Sequence, residues 1–274
     1  MKHTTKRISA LLLALTLLLT VMSGCGSTTP AAAGATAAPT AAAAEVPATE
    51  DPAAAPADAP VIEGLTFTEE SPLKYATVFR LFRYEGGYTL IRIDNGGDFL
   101  AVPEGAAVPA KMDSSVTVLQ QPLDKIYLAA TSAMSLFAAV DALDHIRLTG
   151  TRESGWYIDA AVEAMQRGDI EFAGKYSEPD YERLIDEECN LAIESTMIYH
   201  TPKVKEMIEL LGIPVLVDSS SRESHPLGRS EWMKLYGVLL DRVDEAEAAF
   251  EKQAAIVRDL EGFENTGKTV AFFF

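Results

Sequence analysis

The stretch KIYLAATSAMSLFAAVDALDHIRLTG, residues 125–150, decides the fold. It begins with a short apolar strand over 126–130, continues into a helical pattern over 133–143, and returns to a second apolar strand over 146–149. Strands this short and this apolar are typical of parallel sheets that helices cover on both faces. The stretch therefore predicts the first strand–helix–strand unit of an α/β fold.

The same alternation continues to residue 217. Each predicted strand is short and apolar, and each predicted helix carries apolar side chains at helical spacing. The predicted elements are a helix ending near Gly168, a helix over 181–188 with Tyr181, Leu184 and Ile185 inward, a strand over 191–193, a helix over 202–212 and a strand over 214–217. The chain therefore predicts a Rossmann-like α/β lobe with a mostly parallel sheet.

A small β-meander precedes this lobe at residues 75–103. Strands over 75–84, 88–93 and 98–102 are rich in β-branched and aromatic residues, and glycine-containing turns separate them. A further short strand is predicted over 116–119. We assign the meander and the α/β region together to one N-terminal lobe, residues 61–243.

Two helices and an apolar terminal segment follow. A helix is predicted over 230–240 and a long helix over 244–262, and the segment 263–274 ends on Val-Ala-Phe-Phe-Phe. An apolar strand of this kind needs neighbouring strands, and none remains in the sequence to pair with it. We therefore expect 244–262 to be an interlobe helix and 263–274 to be the start of a second lobe that is cut short. The first strand of that lobe is predicted over 268–274.

The N-terminal 24 residues predict a signal peptide. Basic residues precede an apolar run at 10–22 that is too short to span a bilayer. Ser23-Gly24-Cys25 resembles a bacterial lipobox, in which Cys25 receives a diacylglycerol. Residues 26–60 are mostly Ala, Pro and Thr and cannot bury enough apolar surface to fold, so 25–60 is predicted to be a lipidated, disordered tether. We expect a protein anchored by lipid at the extracytoplasmic face of the bacterial cell membrane.

The net charge of −17 excludes two classes of partner. So acidic a chain is a poor ligand for nucleic acid, and it does not bind an anionic membrane through protein charge. Lipidation of Cys25 would leave Cys189, the other cysteine, without a disulfide partner, so Cys189 is predicted to be a buried small side chain. We expect a soluble, monomeric body behind the anchor.

The stretch EPDYERLIDEECNLAI, residues 178–193, carries a family resemblance. It resembles the Pro-Asn-(apolar)-Glu-x-(apolar)-(apolar) helix and following Pro-Asp-Leu-Val-Ile strand of class III periplasmic-binding proteins. Cys189 and Asn190 stand where that family usually has Pro and Asp. The resemblance implies the solute-binding component of an ABC importer for iron-siderophore, haem or cobalamin. It also implies that Glu182 docks on an Arg of the permease, with a second acid supplied by the other lobe.

Four loops should follow the carboxyl ends of the predicted strands, where ligands of open α/β sheets bind. Arginine there could pair with chelate oxygens, and Tyr or His could stack on a ligand or bind iron. No permanent cofactor or protein-held metal is predicted, and the expected solute is a chelated iron complex. The candidate ligand-binding residues are Thr131, Ser132, Arg152, Glu194, Ser195, Tyr199, His200, Arg222 and His225.

Several of these candidates have structural alternatives. Thr131 or Ser132 could cap the helix over 133–143, and Glu194 could be a buried acid satisfied by backbone amides. His200 precedes a helix start and His225 precedes a proline, so either ring could make structural hydrogen bonds instead of binding a ligand.

Two other functions compete with solute binding. One is a lipid-anchored surface hydrolase, and the other is a ligand sensor on the same fold. The sequence has no Gly-x-Ser-x-Gly, no His-Glu-x-x-His and no glycine-rich phosphate loop. We therefore predict that the protein is not an enzyme.

Overall fold

The computed structural model describes residues 58–260, 262, 264 and 267–271. The predicted signal peptide, Cys25 and residues 26–57 of the predicted tether lie outside these residues. None of the helices in the described part of the chain combines the length and apolar character needed to cross a membrane.

The described chain contains twelve strands and six α-helices, joined by short 3-10 turns. In chain order they are β1 (Phe67–Glu70), β2 (Phe79–Tyr84), β3 (Thr89–Ile93), β4 (Gly97–Val102), β5 (Val116–Gln120), β6 (Ile126–Leu128), α1 (Met134–Ala139), β7 (Ile146–Thr149), α2 (Asp159–Arg167), β8 (Glu171–Phe172), β9 (Gly174–Lys175), β10 (Glu178–Pro179), α3 (Tyr181–Asp186), β11 (Leu191–Ser195), α4 (Pro202–Leu210), β12 (Val215–Asp218), α5 (Pro226–Leu239) and α6 (Val243–Leu260).

A five-stranded, all-parallel sheet has the strand order β12-β11-β6-β7-β8. Successive side chains of each strand point to opposite faces, and each face belongs to a different apolar cluster. Ile126 and Leu128 of β6 face α1, α2 and α5, whereas Tyr127 faces α3 and α4. The predicted α/β fold with a parallel sheet covered on both faces is confirmed.

The order of the strands reverses once. From β6 the chain adds β7 and β8 on one side, and it then returns to place β11 and β12 on the other side of β6. The carboxyl ends of β6 and β11 therefore flank the switch point of the sheet, where open α/β sheets leave a crevice.

A second sheet contains the predicted meander and is larger than predicted. Its strand order is β1-β2-β3-β4-β5, antiparallel from β1 to β4, with β5 parallel to β4. Phe79 of β2 packs edge-on against Trp232 of α5, with ring centroids 5.1 Å apart, so one face of this sheet shares the main core. The sequence analysis missed β1 because its residues are polar and only partly buried.

The buried carboxylate of Glu231 in α5 joins the segment before β2 to that helix. It accepts hydrogen bonds from the backbone N–H groups of Lys74, Tyr75 and Ala76 at 2.7–3.1 Å. The ammonium of Lys234 lies 3.2 Å away and adds a charged partner. A buried carboxylate needs this number of donors to offset its desolvation.

Glu223, at the end of the turn after β12, accepts hydrogen bonds from the next residues of the segment that Glu231 binds. It accepts from the backbone N–H groups of Thr77 and Val78 at 2.9 and 3.0 Å and from the indole N–H of Trp232 at 3.1 Å. A Cβ on Gly228 would lie 2.9 Å from the Tyr75 carbonyl, so only glycine lets α5 approach this closely. Two glutamates thus hold five consecutive backbone amides.

Several predicted elements have other bounds in the structure; the helix predicted over 133–143, for example, is Met134–Ala139. Helix α5 begins at Pro226 instead of 230, because the His225 ring accepts from the Leu227 N–H and caps it. Helix α3 ends at Asp186, and Ile185, predicted to face inward, is 53% exposed. The strand predicted over 268–274 is not formed in its described part, residues 268–271, because no strand of either sheet pairs with it there.

Candidate functional site

The loops that leave the carboxyl ends of the parallel strands carry the predicted ligand-binding residues. Glu194 is fully buried and Ser195 is partly buried. The others are exposed at this edge of the sheet, namely Thr131, Ser132, Arg152, Tyr199, His200, Arg222 and His225. The fold therefore gathers side chains from distant parts of the sequence along one edge, which we call the carboxyl edge.

Thr131 and Ser132 lie in the turn between β6 and α1. The N-cap of α1 is Ala133, and no side chain caps this helix, so the predicted capping role for Thr131 or Ser132 is wrong. The backbone turns once more before the helix begins, and both residues are exposed at the switch point. Their hydroxyl groups are therefore placed to contact a ligand.

Glu194 lies within β11 and is fully buried. Neither carboxylate oxygen has a hydrogen-bond partner among the described residues, so the predicted satisfaction by backbone amides is wrong. Burial raises the pKa of Glu194 from 4.5 to about 8, because the charged form is desolvated. Glu194 lies beneath the carboxyl edge instead of lining its surface, and it is neutral at pH 7.

Ser195 begins the turn after β11. Its hydroxyl oxygen accepts a hydrogen bond from the Met197 N–H at 3.3 Å, which caps the 3-10 turn over Thr196–His200. No histidine donates to or accepts from this hydroxyl among the described residues. Ser195 therefore acts here as a turn residue.

Tyr199 connects the two sheets at the carboxyl edge. Its hydroxyl donates to the carbonyl of Asn95, in the β3–β4 turn, at 3.4 Å, and its ring is 42% exposed. The Arg222 guanidinium lies 5.9 Å from the centroid of that ring. Sequence reasoning missed Asn95, and its only signal was a turn residue that tolerates positive φ, here 57°.

Arg152, in the loop after β7, lies over an aromatic ring of the edge strand. Its guanidinium is 4.2 Å from the ring centroid of Phe172 in β8, a cation–π distance. Phe172 was also missed, because nothing in the sequence shows that β8 pairs with β7.

The two histidines differ in their contacts. The Nδ1 atom of His225 accepts from the Leu227 N–H at 3.1 Å, and the His225 ring stacks on Tyr75 with centroids 4.6 Å apart. His225 therefore has the structural role that the sequence left open, with Nδ1 occupied. His200 is exposed at the end of the turn after β11. No group of three His, Cys, Asp or Glu side chains within the described ranges is placed to hold a metal ion.

Glu182 lies in the first turn of α3. It is exposed, and it forms no ion pair with any of the described residues. Ile185, one turn further along α3, is exposed beside it. The two residues give α3 an outward face with one acid and one large apolar side chain.

Cavities of about 490 and 600 Å³ lie at the opposite edge of the parallel sheet, near the amino ends of the strands. His145 lines the first and Arg147 lines the second. None of the predicted site residues lines either cavity. The carboxyl edge is therefore a site on an open surface.

Cys189 is buried and forms no disulfide, as predicted. Burial raises the pKa of its thiol to about 12, so it stays protonated at neutral pH. It acts as a small apolar side chain beneath α3 and α4.

Comparison with known proteins gives distant likenesses. No family model matches the chain. An uncharacterised lipoprotein of Methanocaldococcus jannaschii is 23% identical over 209 residues, which cover 66% of this chain and 49% of the relative. The chain therefore spans about half the length of the curated relative it matches.

Two solved structures are similar over half of the chain. A periplasmic haem-binding protein from Pseudomonas aeruginosa is 18% identical with a TM-score of 0.41, and the match covers 50% of this chain and 46% of that chain. A possible iron-binding, periplasmic solute-binding protein from Staphylococcus epidermidis is 15% identical with a TM-score of 0.43, and the match covers 54% of each chain. These likenesses assign no family, so the function rests on the geometry of the carboxyl edge.

Proposed function

We propose that this protein is the extracytoplasmic solute-binding lipoprotein of an ABC importer, and that it captures a chelated iron complex or a related metal chelate. One observation carries the proposal. The chain brings exposed polar and aromatic side chains from four separate loops to the carboxyl edge of a doubly wound parallel sheet, at and on both sides of its switch point. Ligands of open α/β sheets bind at that point.

The side chains at the carboxyl edge suit an oxygen-rich solute. Arg152 and Arg222 present planar guanidinium groups that bind oxyanions, and Thr131 and Ser132 add hydroxyl groups. Tyr199 offers an exposed ring for stacking. The edge is open, which fits a site that a second lobe completes on the far side of the solute.

The proposed route of delivery uses α3. Glu182 is an exposed acid without an ion pair in the described residues, so it is available to an Arg of a permease. A second docking acid would come from the second lobe. The lipid on Cys25 and the tether over 26–60 would hold the protein at the membrane face where the permease lies.

The proposal is tested by equilibrium titration of the full-length protein with ferric siderophores, haem and cobalamin. We expect at least one of these to bind with a dissociation constant below about 1 μM, which is a binding free energy of about 8 kcal/mol. A control titration uses iron-free siderophore at the same concentration. If no chelate binds at micromolar concentration, the proposed function is wrong.

A further inference from the structure

The arginines at the carboxyl edge differ from the others in their pairing. Seven of the eleven arginines in residues 58–260 form an ion pair with a carboxylate. The chain has 40 acidic residues and 23 basic residues, so carboxylates are available over most of its surface. The four arginines without such a pair among the described residues are Arg83, Arg152, Arg222 and Arg229, and the last three lie in loops or the helix start at the carboxyl edge.

The acidic residue that follows Arg152 and the one that follows Arg222 each form hydrogen bonds with other groups. Glu153 follows Arg152 in sequence, but its carboxylate accepts from the Gln166 side-chain amide at 2.9 Å. Glu223 follows Arg222, but it is buried and accepts from the backbone of Thr77 and Val78. Each guanidinium therefore keeps its charge without a local carboxylate.

Aromatic rings hold both guanidinium groups in place. Arg152 lies over Phe172 at 4.2 Å, and Arg222 lies over Tyr199 at 5.9 Å. A cation–π contact uses the flat face of the guanidinium and leaves the N–H groups at its rim free to donate. The contact orients the charged group without satisfying its hydrogen-bond donors.

The two arginines lie on opposite sides of the switch point. Arg152 follows β7 and Arg222 follows β12, and in the order β12-β11-β6-β7 these strands are three spacings apart. At the usual distance between neighbouring strands, the two strands are roughly 14 Å apart. A solute seated over β6 and β11 would lie between them.

We propose that Arg152 and Arg222 select an anionic solute, binding its negatively charged oxygens from both sides of the crevice, with Phe172 and Tyr199 as positioning residues for the two guanidinium groups. The inference rests on the proposed function and names the charge class of the chelate. A neutral or cationic complex would leave both guanidinium groups without an ion partner.

The test compares two iron(III) complexes of similar size and coordination, an anionic tris-catecholate and a neutral tris-hydroxamate. We expect the full-length protein to bind the anionic complex at least about tenfold more tightly at low salt, because charge-assisted hydrogen bonds are the stronger class. We expect this preference to shrink as the salt concentration rises.

Single substitutions test whether Arg152 and Arg222 cause the preference for the anionic complex. Arg152→Gln and Arg222→Gln should each weaken binding of the anionic complex about tenfold or more and weaken binding of the neutral complex by a clearly smaller factor. Arg167→Gln, an exposed arginine that is ion-paired with Asp169, is the matched control and should change neither affinity. Phe172→Leu should weaken binding of the anionic complex alone. Phe172→Tyr, which keeps the aromatic ring, should bind the anionic complex as tightly as the wild type does.

The outcomes separate the two proposals. Equal or tighter binding of the neutral complex, or wild-type affinities in both arginine variants, overturns the charge inference while leaving the proposed function standing. Absence of binding of either complex overturns both. If Phe172→Tyr binds the anionic complex as weakly as Phe172→Leu does, the positioning role of the ring is rejected.

Discussion

The carboxyl group of Glu194, in β11, is fully buried. Neither of its oxygens has a hydrogen-bond partner among the described residues. Tyr127 and Tyr181 lie close enough for their pKa values to rise partly through its charge, after desolvation as the larger cause. A neutral Glu194 in this position costs less free energy than an ionised one. The residue therefore makes the stability of the protein depend on pH.

We predict that Glu194→Gln removes this dependence. The pKa of Glu194 is 4.5 when exposed and about 8 in the folded protein, so its contribution to the free energy of unfolding is complete below pH 4.5 and is lost as pH rises towards 8. The glutamine variant should match the wild type near pH 4.5 and exceed it increasingly at higher pH, by about 1.4 kcal/mol per unit of pKa difference at most.

Urea unfolding measured from pH 4.5 to 8.5 checks this prediction. Glu182→Gln, an exposed acid, serves as the control and should run parallel to the wild type. A constant difference between Glu194→Gln and the wild type over the whole range would contradict the account of Glu194.

At the residue scale, the sequence predicted most of the side chains that are exposed at the carboxyl edge, because they lie in loops after short apolar strands, but it misplaced Glu194, which is buried within β11. It did not predict their contacts. Glu223 and Glu231 hold backbone amides that lie about 150 positions earlier in the chain, and no local pattern marks such a pair. Asn95 and Phe172 were missed for the same reason, since Asn95 meets Tyr199 only where the two sheets approach, and Phe172 meets Arg152 only because β8 pairs with β7.

At the scale of elements, the carboxylates of Glu231 and Glu223 join the segment before β2 to α5 and to the turn after β12. We predict that Glu231→Ala lowers the free energy of unfolding by about 3–5 kcal/mol, because three backbone N–H groups lose their buried acceptor and Lys234 loses a buried partner. Denaturant unfolding measures the loss. Glu163→Ala, an exposed acid in α2, should change the stability by no more than about 0.5 kcal/mol, and an equal effect of both substitutions would reject the role of Glu231.

Helix α3 carries the proposed docking contact. We predict that Glu182→Ala leaves the affinity for the solute unchanged and lowers uptake of that solute by cells, because the acid is exposed and is not one of the proposed ligand-binding residues. Glu206→Ala, an exposed acid of α4, should leave uptake unchanged. Wild-type uptake by the Glu182 variant would refute the docking role.

The elements that the sequence predicted best are those with apolar periodicity. Strand β7 was predicted over its full observed range, and α2 ends at Gly168 in the left-handed conformation, as expected. The start of α5 was misplaced because an imidazole caps it, and this is an uncommon choice at that position. Strand β1 was missed because only its pairing with β2, and not its composition, makes it a strand.

At the scale of the whole molecule, the order of the strands decides where a solute can bind. The sequence predicted a parallel sheet but not its order, because strand order depends on which strands pair and not on the residues of any one strand. The observed order β12-β11-β6-β7-β8 places the switch point between β6 and β11. Two cavities lie at the other edge, so the two edges of the sheet are competing locations for the solute.

Amide hydrogen exchange of the full-length protein, with and without the tightest-binding ferric chelate, tests the location of the site most directly. We predict slower exchange on binding in residues 129–133, 150–155, 195–200 and 219–225, the loops at the carboxyl edge. Exchange should stay unchanged in residues 103–104, 121–123 and 240–242, which line a cavity at the amino edge. Protection confined to this second group would contradict a solute site at the switch point.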